Sequence, residues 1–418
     1  MNLNETMDYI NSMPRFVKRP VLDIMRAIMN KLGSPQDSLK FIHVAGTNGK
    51  GSACAYLSCI CREHGMKTGM FTSPFVIDFC ERFQINGEMI SESELCETTQ
   101  QVKTALDELG EEYLPPQFGL ITAIGLLWFY KKQCDIVVLE VGLGGRTDPT
   151  NIIKTPLCSV IMQIGMDHTD RLGDNIGKIA FEKGGIIKPS GITVLYPLQK
   201  EQTVNVIRSM SIQSQSRFIY PSAKQLTDVR QTLGGSSFTR SGQTYEVGIS
   251  GKCQPYNALT VIEAVHACLP EITDDEIKRG LKRANLPARI HVLRRDPALV
   301  IDGGHNEDAV DVLSEFISQN SLKPVCVIGM MSDKDIDGYL AKLGPLCLEI
   351  YAVQAASERS EPAADIAKRA HHYCDYVKVS YDMRSLLEKL IKEKKDLLIC
   401  GSLFVANEAY KILNDLNI

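Results

Sequence analysis

Apolar runs of strand length alternate with segments of helical period along most of the chain. FIHVAG (41–46), KTGMFTS (67–73), DIVVLEVG (135–142), PLCSVIMQIG (156–165) and GITVLYPL (191–198) read as strands punctuated by Gly, Ser or Pro. Helical patterns at 51–64, 92–109, 118–131, 174–183 and 200–210 separate them. Runs this continuously apolar suit strands buried on both faces, which predicts a mostly parallel sheet with helical crossovers. Around 231–249 the rhythm breaks into short alternating segments between Gly, Ser and Thr turns, which predicts a small antiparallel hairpin. A second alternating series follows NLPARIHVLRRDP. Its strands are ALVIDGG, PVCVIGM, CLEIYAVQA, YVKVS and DLLICGS, with helices near 305–319, 336–343, 362–372, 383–393 and 402–414. The expected fold class is therefore α/β in two domains: 1–287, a phosphate-loop type of sheet, and 288–418, a Rossmann-like unit of ordinary domain size. Ligands commonly bind in the cleft between such domains.

Composition changes this picture little. In 418 residues, 44% hydrophobic and 23% charged, the net charge of -4 gives no broad reason to expect nucleic acid or an anionic membrane as partner. The longest apolar run, GLITAIGLLWFYKK, is too short to span a bilayer. The thirteen cysteines follow no zinc spacing, and no basic-then-apolar leader opens the sequence, so a reducing cytoplasmic setting is expected.

The chemistry concentrates where strands run out. FIHVAG leads through TNGKGS into a helix, the context a phosphate loop needs: glycines turn N–H groups toward an anion, the helix amino end favours it, and Lys50 adds a cation. The loop departs from the usual pattern, with Val44 where the first glycine is expected and Ser52 one place late. A glycine-rich turn with an exposed lysine remains the alternative. Glu140 ends an apolar strand, where a lone carboxylate is costly unless paired or bound to metal. Asp167 and His168 follow the strand at 156–165. Lys183 lies near a helix C-terminus, where the dipole alone accounts for it. Asp302 and His305 flank a Gly-Gly turn that Asn306 can cap. Arg289, at the domain boundary, reads equally as a phosphate ligand or a solvated charge.

Together the segments HVAGTNGKGS, TSPF, ERFQING, LEVGLGGRTDPTN, MDHTDRLG, EKGGIIKP, YNALTVIEA, LPARI, IDGGHN, GMMSDKD and CGSLF resemble, in order, the folylpolyglutamate synthase/dihydrofolate synthase family of Mur-type ligases. The resemblance runs from about residue 41 to 405. It implies an ATP-dependent carbon–nitrogen ligase that phosphorylates a folate or dihydropteroate carboxylate and couples it to L-glutamate. On this resemblance Thr47, Asn48, Gly49, Lys50, Gly51 and Ser52 cradle the phosphates. Asn257, Asp302 and His305 belong to the ATP site, and Arg289 meets the phosphates. Ser73 and Glu140 hold one Mg2+ and His168 helps hold a second, with Lys183 as a carbamate. Phe118, Thr147, Asp148 and Pro149 lie where the pterin binds. Lys50, Lys183, His168 and Arg289 form the catalytic group, K+ is admitted as a further cofactor, and a monomer is expected. One departure stands out: Gly119 follows Phe118 where many relatives carry Glu, which bears on the dihydrofolate synthase activity. A Mur-type ligase for another carboxylate and a catalytically silent ATP-binding protein are the competing readings.

Overall fold

The computed structural model describes residues 1–14, 17–154, 156–416 and 418. They form two compact units, the first of Met1–Phe75, Phe79–Gln225 and Tyr256–Leu281, the second of Val76–Asp78, Leu226–Pro255 and Lys282–Ile418.

The first unit is built on eight strands: β1 (Phe41–Ala45), β2 (Thr68–Phe71), β3 (Phe83–Ile85), β4 (Glu88–Met89), β5 (Ile136–Glu140), β6 (Cys158–Ile161), β7 (Ile192–Leu195) and β8 (Arg217–Ile219). Their order is β4-β3-β2-β5-β1-β6-β7-β8. All pairings are parallel except those of β3, which runs antiparallel to β2 and β4. The three central strands β5, β1 and β6 are buried at every position, as their predominantly apolar sequences lead one to expect. Val137 and Leu139 of β5 pack with Phe41, Phe71 and helix Gln117–Lys131. The alternation of a strand then turns Glu140 to the opposite face. Phe129 of that helix is fully buried against Gly69, so closely that a Cβ on the glycine would fall 2.8 Å from its ring. Truncating Phe129 to Ala would cost about 3–5 kcal/mol.

In the second unit, the antiparallel segment is a three-stranded sheet that begins before the predicted hairpin: β9 (Thr227–Thr232), β10 (Gly235–Arg240) and β11 (Gln243–Val247). The remaining strands are β12 (His291–Arg295), β13 (Ala298–Ile301), β14 (Val325–Ile328), β15 (Glu349–Ala352), β16 (Val377–Val379) and β17 (Leu397–Cys400). They form one sheet in the order β12-β13-β17-β14-β15-β16, parallel except for β12. Apolar clusters around Phe316 and Leu340, and around Leu387 and Tyr410, complete its core. Among the described residues no helix is long and apolar enough to cross a membrane.

Candidate active site

Every predicted phosphate and metal residue of the first unit except Asn257 and Lys183 follows the carboxyl end of a parallel strand or lies at it. After β1 the chain makes the loop Gly46–Gly49 and enters helix Lys50–Glu63. Gly49 stands at the helix N-cap in the left-handed region, φ +86°, with the Asn257 side chain directly against it. The loop is pinned to the segment after β6. Thr47 and Asn48 N–H donate to the Gln163 carbonyl at 2.7 and 3.1 Å, and Gly165 N–H donates to Thr47 Oγ1 at 3.1 Å. The amides of Thr47 and Asn48 are thus engaged by the fold, and the anion-binding character of the loop falls to the helix start from Lys50 onward.

Two lysines converge on one carbonyl. Lys50 Nζ donates to Gly46 O at 3.1 Å and to Thr47 O at 3.3 Å, while Lys183 Nζ donates to the same Gly46 O at 2.9 Å. Lys183 ends helix Ile176–Lys183, but its side chain is not a solvated complement to the helix dipole. Only 4% exposed, it turns inward. Burial, then the neighbouring Lys50 charge, bring its amine down to about 7, against weaker opposing effects of Asp167 and Asp148. Glu140 is also buried and accepts a hydrogen bond from Ser73 N–H at 3.0 Å.

The loop after β5 fixes the surroundings of Lys183. Arg146 N–H donates to Glu182 O at 2.8 Å, and a Cβ on Gly145 would meet the Lys183 carbonyl at 2.8 Å. Asp148 caps its own turn, Pro149–Ile152, rather than facing solvent. Its carboxylate accepts from Leu143 N–H at 2.9 Å, Thr150 N–H at 3.0 Å and Thr150 Oγ1–H at 2.5 Å. Burial nevertheless raises its acidity range above the usual carboxylate value. Phe118 packs its ring on Gly142 of the same loop and on Phe71, with ring centroids 5.8 Å apart. Pro149 is buried in the turn that Asp148 caps, and Thr147 precedes it on the surface.

Other predicted residues are placed differently. His168 caps helix Thr169–Leu172 at φ +49°, with an exposed ring whose Nε2 lies 3.7 Å from Asp167. In the second unit Asp302 is buried, accepting from Ile290 N–H at 2.9 Å and from Gly304 N–H at 2.8 Å. Burial raises its pKa and lowers that of His305, whose Nδ1 is 3.3 Å from Gly303 O. Asn306 caps helix Glu307–Gln319 as the sequence predicts, and Arg289 is exposed.

Two residues near this machinery escape sequence reasoning. His43, hidden in an apolar strand, is fully buried with Nε2 2.9 Å from Thr150 Oγ1. Because that hydroxyl donates to Asp148, His43 must donate to it through Nε2–H. Burial, then Lys188, hold the ring neutral with a pKa of about 3. Arg82, in ERFQING, lies over the rings of Phe75 and Phe79 at 5.2 and 5.5 Å. Burial lowers its guanidinium to about 10, against the opposing charges of Glu140 and Glu81. Its sequence signals are its place in the ERFQING segment and a charge between two aromatic-rich segments, neither of which assigns it a role.

As for metal, Ser and Glu oxygens beside a phosphate loop suit Mg2+, which keeps several waters and takes one or two protein ligands plus phosphate. Consistent with that economy, no group of three or more His, Cys, Asp or Glu converges into a metal cage among the described residues. His168 brings a nitrogen, which is not the donor magnesium prefers.

A phosphate loop on a parallel sheet, with a second α/β unit following in sequence, indicates a nucleotide-dependent enzyme, and two domain families sharpen that. The Mur ligase middle domain matches residues 44–265, and the Mur ligase glutamate ligase domain matches 288–403. The class is the Mur ligase. Folylpolyglutamate synthase of Lacticaseibacillus casei is 33% identical over 84% of this chain and 85% of its own. Dihydrofolate synthase/folylpolyglutamate synthase of Bacillus subtilis strain 168 is 32% identical over 98% of each. The structure of Mycobacterium tuberculosis folylpolyglutamate synthase complexed with ADP superposes with a TM-score of 0.86 at 26% identity, covering 98% of both chains. The chain belongs to the folylpolyglutamate synthase/dihydrofolate synthase family.

Proposed function

We propose that this protein is an ATP-dependent ligase joining the amine of L-glutamate to the carboxylate of a folate or folylpolyglutamate. The observation that carries this reading is the convergence of Lys50 and Lys183 on the Gly46 carbonyl, inside a phosphate loop flanked by the buried Glu140. ATP transfers its γ-phosphoryl group to the substrate carboxylate, breaking the bond to the β-phosphate. The glutamate amine then attacks the acyl carbon, phosphate leaves, and the amine's proton is released.

Both partners of the first step are anions, so the chain must supply positive charge and exclude water. Lys50 exchanges the carbonyls of Gly46 and Thr47 for phosphate oxygens, beside the amides and hydroxyl of Gly51 and Ser52. Ser73 and Glu140 would hold one Mg2+, and His168 with a carbamate on Lys183 a second; the His168 assignment rests on family resemblance alone. Bound magnesium neutralises charge between carboxylate and phosphate. Lys183 suits carbamate formation because a buried amine shifted to about 7 is largely unprotonated just above neutrality, able to add to CO2 with loss of a proton. Asn257, Arg289, Asp302 and His305 are assigned to the nucleotide. Phe118, Thr147, Asp148 and Pro149 are assigned to the pterin side. We assign a monomer in the cytoplasm, with K+ as an accessory ion.

Between the family's two activities, one observation favours folylpolyglutamate synthesis. Gly119 supplies no carboxylate where the family resemblance places a glutamate, and a Cβ there would sit tightly against Pro115 Cβ at 3.1 Å, Pro116 Cδ at 3.2 Å and Met25 Sδ at 3.3 Å. ADP release over a panel of pterin carboxylates with L-glutamate tests the function. Turnover with tetrahydrofolate polyglutamates exceeding that with dihydropteroate is expected. No ADP with any pterin carboxylate would overturn the ligase reading.

A further inference from the structure

The turn that presents Arg289 is conformationally unusual. Ala288 and Ile290, on either side of it, have φ of +55° and +47°. For the β-branched Ile290 this is a true outlier, kept only where surrounding structure over-determines it. Both flanking side chains are buried while Arg289 projects to the surface.

Four groups impose this shape. Gly303 N–H donates to Ala288 O at 2.8 Å, and Ile290 N–H donates to Asp302 Oδ2 at 2.9 Å. The third is Tyr410, from helix Leu403–Asp415, whose hydroxyl accepts from Ala288 N–H at 2.8 Å. The fourth is His291, whose Nδ1 lies 2.7 Å from the same hydroxyl, within hydrogen-bond distance, in a ring whose pKa burial lowers. The tyrosine oxygen is therefore held on two sides, accepting from the strained turn and hydrogen-bonded to the ring of the residue just beyond it.

We infer that Tyr410 is a positioning residue for Arg289, holding the 288–290 turn in the conformation that sets where the guanidinium points. This rests on the proposed contact of Arg289 with the nucleotide. Tyr410→Phe retains the buried ring and removes only the hydroxyl, so it separates positioning from packing. ADP affinity and steady-state KM for ATP are measured on the full chain for Tyr410→Phe, Arg289→Ala and the double variant, with Tm as a check on folding. Tyr410→Phe is expected to weaken ADP about two- to twelvefold, the effect of one lost hydrogen bond. In the Arg289→Ala background the same change should add less than about twofold, because the residue it positions is gone. His291→Leu, which removes the ring hydrogen-bonded to the hydroxyl, should act in the same direction. Multiplicative effects in the double variant, or unchanged ADP affinity in Tyr410→Phe, would make Tyr410 a purely structural residue. Unchanged affinity in Arg289→Ala itself would instead refute the nucleotide contact, and the inference with it.

Discussion

Gly49 allows the loop's conformation to be tested apart from its charge. At φ +86° an L side chain costs about 1–2 kcal/mol. A Cβ would also fall 2.8 Å from Asn257 Oδ1 and 3.4 Å from Met162 Cε. The methionine tip can move, but Asn257 is buried on helix Gln254–Cys268, so overlap adds about 1–3 kcal/mol. Gly49→Ala thus opposes the present loop by about 2–5 kcal/mol. A surface loop relieves such strain by leaving the conformation, and nucleotide affinity falls with the competent fraction. The Kd for ADP, measured by titration calorimetry with Mg2+, should rise by at least about 30-fold. In an Asn257→Ala background, read against Asn257→Ala alone, the overlap disappears and about a 5- to 30-fold effect of backbone strain remains. An affinity within about threefold of wild type, with unchanged Tm, would refute both the left-handed requirement and the Asn257 contact.

Lys50→Ala should lower turnover by at least about 100-fold while leaving Tm nearly unchanged, because the lysine contributes charge and not packing; a large fall in Tm contradicts that role. Lys183 gives a pH signature: between about pH 7 and its ordinary 10.5, the unfolded chain keeps a proton that the folded chain has shed, so stability rises with pH through that window. In CO2-free buffer, Lys183→Met should flatten this rise in urea unfolding, and an unaltered slope would place the proton elsewhere. Acetate should restore activity to Lys183→Ala if the wild-type residue works as a carbamate; native mass showing no added CO2, together with no rescue, opposes it. Asp148→Ala, which strands three hydrogen-bond donors, should cost about 2–4 kcal/mol in the same unfolding assay.

Much of the fold was legible because the central strands are mostly apolar, buried at every position, and followed by glycines. The edge strands β4 and β12 were not. β4 is only Glu88–Met89, exposed at both positions, and β12 mixes His, Arg and aliphatic residues, so neither shows a buried period. The phosphate loop was readable because its chemistry is local, carried by consecutive residues. Lys183 was not readable from pattern, since its helix position predicts solvent and only the fold brings Gly46 O, 137 positions away in sequence, to its amine. His43 was concealed for the opposite reason: a buried imidazole with a hydroxyl partner occupies a strand position much like any apolar residue. Tyr410 resembled ordinary core until its oxygen was traced to the Ala288 amide.

The central strands of the first unit all present their candidate site residues at the same edge of the sheet, where 46–52, Ser73 and 163–168 follow β1, β2 and β6 and Glu140 ends β5. This gives the gene a polarity with respect to length variation. Extra codons in connections at the other edge, such as the turn before β1 or the one before β5, lengthen a peripheral bend and leave the spacing of Lys50, Glu140 and Lys183 intact. A single added codon at the carboxyl edge shifts a proposed ligand or a pinning amide. A library of one-residue insertions, selected for growth dependent on the enzyme, should therefore divide along that edge rather than by depth of burial.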